Sequence, residues 1–229
     1  MKEKIKNLYQ KYHGKELVII LLVFAFQFSI YLFYAWLQPK THTIHMKVDE
    51  YIPFIPAFAL PYYFYYLNWW LSVWLTSFNS NKVFKRMTKV VLSCVIFCGI
   101  FYAFYPVRMI RPEITGNSFF EVWVRDYVYR LDVNSVNCLP SLHAVMGTVC
   151  AMAAFKNKDG NIWGRIWFIF AGITMTLAAV FIKQHYLIDI IVGAALVIFF
   201  DIFYSIYEKV SEKYSVKRIN HKLDTNLVG

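Results

Sequence analysis

The chain has 229 residues, of which 59% are hydrophobic, 20% aromatic and only 17% charged, with a mean hydropathy of +0.43. Soluble domains run at about 45–50% apolar and about 25% charged, so this composition excludes an ordinary soluble domain and points to a multi-span membrane protein. The net charge of +10 raises nucleic acid as a partner, but neither an aromatic–basic RNA motif nor a Gly-rich phosphate loop accompanies it.

Residues 1–16 are polar and basic, with five lysines, and read as a short N-terminal segment. Leu17–Leu37 follows as 21 residues without a charge, enough to cross about 30 Å of hydrocarbon. Gln38–Glu50 is a polar loop, and Tyr51–Phe78 is a second span whose Pro53, Pro56 and Pro61 predict a kinked or extended start, with regular helix from near Pro61. Asn79–Lys89 is a basic turn and Val90–Val107 the third span. In the long connection 108–139, Phe119–Leu131 mixes apolar and charged residues as a helix along an interface does, with Trp123 and Tyr127 facing lipid.

The fourth span runs from Pro140 to about Phe155, and Lys156–Arg165 is a second basic turn. Ile166–Ile182 and Leu187–Tyr207 are the fifth and sixth spans, and Glu208–Gly229 is a basic polar tail, mobile at its end. The prediction is therefore an all-α, six-span transmembrane helical bundle over residues 17–207. It has an interfacial helix in the long outer loop and is flanked by basic segments 1–16 and 208–229. Cys94, Cys98, Cys138 and Cys150 follow no zinc-finger pairing and read as packing residues.

Six spans put both termini on one side. Segments 1–16, 79–89, 156–165 and 208–229 then hold 17 of the 24 Lys and Arg residues. That bias predicts cytoplasmic termini in the plasma (cytoplasmic) membrane, and it accounts for the net charge without nucleic acid. It also sorts the odd polar residues. Arg111, Ser141, His143, Lys183, His185 and Asp189 come from three distant segments, yet the topology delivers all of them to the outer face. Ionisable groups at membrane depth are costly, at about 2.5–3.5 kcal/mol on insertion scales, and mark function.

These groups suit phosphoryl transfer. Arg111 offers a planar fork of donors to phosphate oxygens and Lys183 a point charge. Pro140 fits the first turn of a helix, which aims the backbone N–H groups of Ser141 and Leu142, and the Ser141 hydroxyl, at an anion. His185 and Asp189 are four residues apart and share a helix face, so the carboxylate fixes the His185 tautomer and makes that imidazole the nucleophile. His143 is left as the general acid. The residues require neither a metal nor a cofactor. His42 and His45, in a short outer loop, are too few for a metal site.

Arg111-Pro112, Pro140-Ser141-Leu142-His143 and His185 with Asp189 four later resemble, in order and spacing, the type 2 phosphatidic acid phosphatase superfamily. The resemblance covers roughly residues 90–205 and implies a metal-independent membrane enzyme working through a phosphohistidine, with a His143/His185/Asp189 triad. Three positions depart from the family pattern. Phe104 stands where a Lys precedes Arg-Pro, Leu142 replaces a Gly, and Ala178-Ala179 replaces a Ser-Arg, leaving Lys183 or Arg108 to supply the lost charge. The Pro-Ser-Leu-His form with His-Tyr-x-x-Asp is similar to the inositol phosphorylceramide synthase branch. The implied substrate is a membrane lipid phosphate.

Two outcomes of that chemistry stay open: hydrolysis of a phosphomonoester or diphosphate, or transfer of a phosphorylated head group to an alcohol or lipid acceptor. A reading from another class is a proton or anion transporter using the His/Asp/Lys cluster. No inverted repeat supports it, and the polar groups gather at one face rather than through the midplane.

Overall fold

A computed structural model describes residues 7, 10–37, 39–130, 132 and 136–227, with the backbone alone for residues 65, 66 and 216–227. Half of the basic N-terminal segment, Leu131 and the last two residues of the predicted tail lie outside the described residues. Among the described residues the protein is all-helical, with eight α-helices. They are α1 (Gly14–Leu37), α2 (Lys47–Tyr51), α3 (Ala59–Thr76), α4 (Asn81–Phe104), α5 (Phe119–Trp123), α6 (Leu142–Lys156), α7 (Ile162–Phe181) and α8 (Leu187–Leu227).

Among the described residues, four helices are long and apolar enough to cross a membrane: α1, α4, α7 and the 187–215 part of α8. Helix α3 has 18 residues and α6 only 15, so α6 reaches about 22 Å at ~1.5 Å per residue. Composition and these apolar helices together support a membrane protein.

The helix starts follow local chemistry. Ser80 accepts the Val83 N–H ahead of α4, and Asn161 accepts the Trp163 and Gly164 N–H groups ahead of α7. Several boundaries differ from the sequence reading. Helix α4 begins at Asn81, nine residues before the predicted span, because Lys82, Lys85, Arg86 and Lys89 are good helix formers behind a Ser cap. Helix α8 runs 41 residues, so the predicted tail is helical through Leu227. Its extension is held by ion pairs from Arg86 to Glu208 and from Lys82 to Glu212. Asp201 pairs with Lys156 rather than with the tail.

Pro53 and Pro56 keep residues 53–55 extended and are followed by a 3₁₀ turn at Pro56–Phe58, so α3 starts at Ala59. Helix α5 continues as π-helix through Tyr129. Tyr127 is exposed, as predicted, but Trp123 stacks on Tyr63 with ring centroids 5.1 Å apart.

Helix α6 is the hub, packed against α3, α4, α7 and α8. Small residues let the backbones meet. A Cβ on Gly172 would stand 2.3 Å from the Gly147 carbonyl oxygen, and one on Gly193 of α8 would stand 2.6 Å from that of Ser141. The second contact presses the start of α6 onto the first turns of α8. Above them, the outer loops are stitched by backbone hydrogen bonds: His42 N–H to Pro106 O, Arg108 N–H to His42 O, and Cys138 N–H to Val107 O.

Candidate active site

Ser141 caps α6, with its hydroxyl oxygen accepting the Ala144 N–H at 3.3 Å. Its own N–H donates to the Asp189 carbonyl at 3.1 Å. That corrects one expectation: the helix starts at Leu142, after a cis Leu139-Pro140 bond, and the Ser141 N–H is spent on α8 rather than aimed at an anion. Tyr102 OH donates to the Pro140 carbonyl and fixes the approach to the cap. His143, one turn into the helix, stacks on Tyr62 with centroids 4.6 Å apart.

The chain between α7 and α8 turns sharply. Lys183 takes φ 54°, and both the Gln184 and His185 N–H groups close onto the Ala179 carbonyl. A non-Gly residue in this left-handed region is uncommon. Here its amine is anchored, donating to the Asp49 and Ile52 carbonyls at 3.1 and 2.6 Å. Burial lowers the Lys183 amine from its ordinary range, against the opposing charge of Asp49. Asp49 is itself buried and accepts the Leu187 N–H at the start of α8 and the Met46 N–H. Sequence reasoning missed it; the one signal was a carboxylate in the outer loop with no partner along the chain. Asp49→Ala removes two of these hydrogen bonds, those from the Leu187 and Met46 N–H groups, each worth about 0.5–3 kcal/mol, while the backbone carbonyl that accepts from Lys183 stays. The expected result is a melting temperature lower by roughly 3–10 °C in a purified sample; an unchanged melting temperature would contradict the bracing role.

The turn brings His185 against His143. His185 Nε2 lies 3.2 Å from His143 Nδ1. On its other side, His185 Nδ1 lies 3.0 Å from the Cys138 carbonyl oxygen and 3.4 Å from Asp189 Oδ2. A carbonyl oxygen only accepts, so the proton of the neutral ring is on Nδ1 and the lone pair is on Nε2, facing His143. Asp189 is fully buried, and its Oδ2 also accepts the Tyr186 N–H at 3.0 Å.

Cys138, His185 and Asp189 offer three ligand atoms within 4.8 Å of one another. They do not fit a cation, because Nδ1–H is committed to two acceptors and burial pushes the Cys138 thiol well above its ordinary range, away from the thiolate a metal needs.

Arg111 sits behind this pair. Its Nη1 donates to the Tyr129 and Asp132 carbonyls, and its Nη2 to Asp132 Oδ2 and to Gln184 Oε1. The guanidinium lies over the Tyr129 ring at 4.8 Å. These contacts turn the fork inward rather than toward open space. Lys183 is likewise occupied, and Arg108 is exposed beside His42. Of the departures from the family pattern, Ala178, Ala179 and Leu142 are buried in apolar packing, whereas Phe104 is 83% exposed.

The histidines open on a cavity of about 440 Å³. His143, Gln184, His185, Asn137 and Asp132 form its polar end beside Leu142, and Tyr62, Tyr63, Tyr127 and Val128 one flank. The other flank is α1, through Phe24, Gln27, Phe28, Tyr31 and Leu32. That contribution was not anticipated, since the first span reads as uniformly apolar apart from Gln27. Tyr31 OH donates to Asp132 Oδ1 at 2.8 Å and ties α1 to the site. Tyr62 both stacks on His143 and lines the cavity; the side chains of Tyr65 and Tyr66 lie outside the described residues. Among the described residues, no Lys or Arg lines the cavity, and residues 131 and 133–135, beside Asp132, include neither.

The family model described as the PAP2 superfamily matches residues 35–201. No curated protein and no solved structure matches the chain.

Proposed function

The chain belongs to the PAP2 superfamily, the type 2 phosphatidic acid phosphatases, and from that premise we propose that it breaks a lipid phosphoester through a phosphohistidine on His185. The observation that carries the reading is the facing pair of imidazoles, with the rear nitrogen of one held as N–H by the Cys138 carbonyl and Asp189. The two nitrogens are in hydrogen-bond contact, so a phosphoryl group enters by displacing that bond. His185 Nε2 attacks phosphorus and forms the N–P bond. The P–O bond to the leaving group breaks, and imidazolium His143 gives the departing oxygen its proton. Asp189 and the Cys138 carbonyl support the positive charge that His185 gains. In the second half, His143 takes a proton from water or an alcohol. That oxygen attacks phosphorus, and the N–P electron pair returns to Nε2.

The first reading is a phosphatase for a lipid phosphomonoester or diphosphate. Head-group transfer to an alcohol is a second reading, favoured by the cavity's lack of Lys and Arg. A phosphodiester carries one charge, and neutral donors suit it better than they suit a dianion. In this reading the bundle has six spans, an interfacial helix in the stretch Phe119–Leu131 and both termini in the cytoplasm, with the site at the outer face of the plasma membrane. Lys183 and Arg111 then support the phosphate site from behind, and Leu142 and Ser141 shape its edge.

Labelled phosphatidate, polyprenyl diphosphate and phosphatidylinositol, each supplied with and without an acceptor alcohol, separate the two. Free phosphate identifies the phosphatase and a new phosphodiester the transferase. Turnover in either case is expected to survive a metal chelator, and strong inhibition would overturn the mechanism.

A further inference from the structure

We infer that Gln184 is the residue that holds a phosphate oxygen, and that Arg111 is a positioning residue acting through it. The inference rests on the phosphohistidine reading. Gln184 is 2% exposed and lines the cavity beside His185. Arginine only donates, so the Gln184 atom facing Arg111 Nη2 is Oε1. The amide orientation is therefore fixed by chemistry, and the NH₂ group must point the other way. Its Nε2 is buried and has no hydrogen-bond partner among the described residues.

Buried donors without an acceptor are rare and persist where a ligand supplies one. Asn137, across the same cavity end, has both amide atoms buried and unpartnered in the same sense. Arg111 meanwhile is tied to Tyr129, Asp132 and Gln184. Its charge reaches the cavity by polarising the Gln184 amide, whose N–H then becomes the better donor. A neutral, preset donor on the wall of the cavity that His185 also lines would meet a non-bridging oxygen as it gains charge when phosphorus is attacked.

Gln184→Glu and Gln184→Met in the full-length protein test this, with His185→Ala and Arg111→Lys beside them. Gln184→Glu keeps an acceptor for Arg111 but loses the N–H. A residue that only steadied Arg111 would tolerate that change, whereas a phosphate contact would not. The expected result is a fall in kcat of about 10²-fold for both Gln184 variants, with orthovanadate no longer raising the melting temperature. Arg111→Lys combined with Gln184→Met should cost little more than the worse single change, because both act on one contact.

Gln184→Glu turning over within twofold of the wild type, while His185→Ala is dead, overturns this inference alone. A live His185→Ala, or a wild-type protein with neither turnover nor a vanadate shift, removes the phosphohistidine reading and this inference with it. If Gln184→Glu cannot be purified, Gln184→Met decides by the same two readouts.

Discussion

His185→Ala is expected to lower turnover by at least about 10⁴-fold, because the nucleophile of a two-step transfer has no substitute. The neighbouring donors and acceptors cannot replace it. Cys138 offers a carbonyl and a protonated thiol, and Asp189 is fully buried behind the ring. With lipid labelled at phosphorus, the wild-type chain should retain label that is lost in acid and kept in base, as a phosphoramidate is, and His185→Ala should retain none. The variant leaves the Cys138 carbonyl and Asp189 without their N–H, a cost of about 1–3 kcal/mol, so a modestly lower melting temperature is expected with normal extraction. Label retained on the alanine variant would place the covalent step elsewhere.

Asp189→Asn is expected to slow turnover by about 10–10²-fold, less than the roughly 10⁴-fold loss known where a lone carboxylate sets a histidine tautomer. The reason is geometric. The Cys138 carbonyl lies nearer to Nδ1 than the carboxylate does, at 3.0 against 3.4 Å. It holds the N–H even when Asp189 is neutralised, and an asparagine oxygen can still accept the Tyr186 N–H. What is lost is charge support for the imidazolium-like ring as the N–P bond forms. Nitrogen shifts of the His185 ring should report an unchanged tautomer in the variant. A full 10⁴-fold loss with a flipped tautomer would show that the carbonyl does not hold the ring. No loss at all would remove Asp189 from the charge balance.

The triad was legible because its residues are ionisable in a sequence where little else is. His143, His185 and Asp189 could be placed together from spacing and sidedness alone, and the structure sets the two rings in contact. What surrounds them was not legible. Arg111 reads as a phosphate fork until Asp132 and Gln184 are seen to occupy it, and no periodicity announces that a glutamine before the histidine has one end held by arginine. Lys183 and Asp49 lie 134 residues apart in the chain, so their clasp depends on tertiary contact. The helix ends were misjudged for a related reason. Hydropathy marks where lipid stops, but α4 and α8 continue into charged sequence, because Lys and Glu are good helix formers wherever a neighbour offers the opposite charge.

The family match begins at residue 35, whereas the wall of the cavity from Phe24 to Leu32 lies before it. On the proposed reading, the groups that react and one flank of the cavity that receives the lipid thus come from different stretches of polypeptide. Exchanging the first helix while keeping Tyr31, whose hydroxyl is bonded to Asp132, is then expected to alter which acyl or prenyl tail is accommodated.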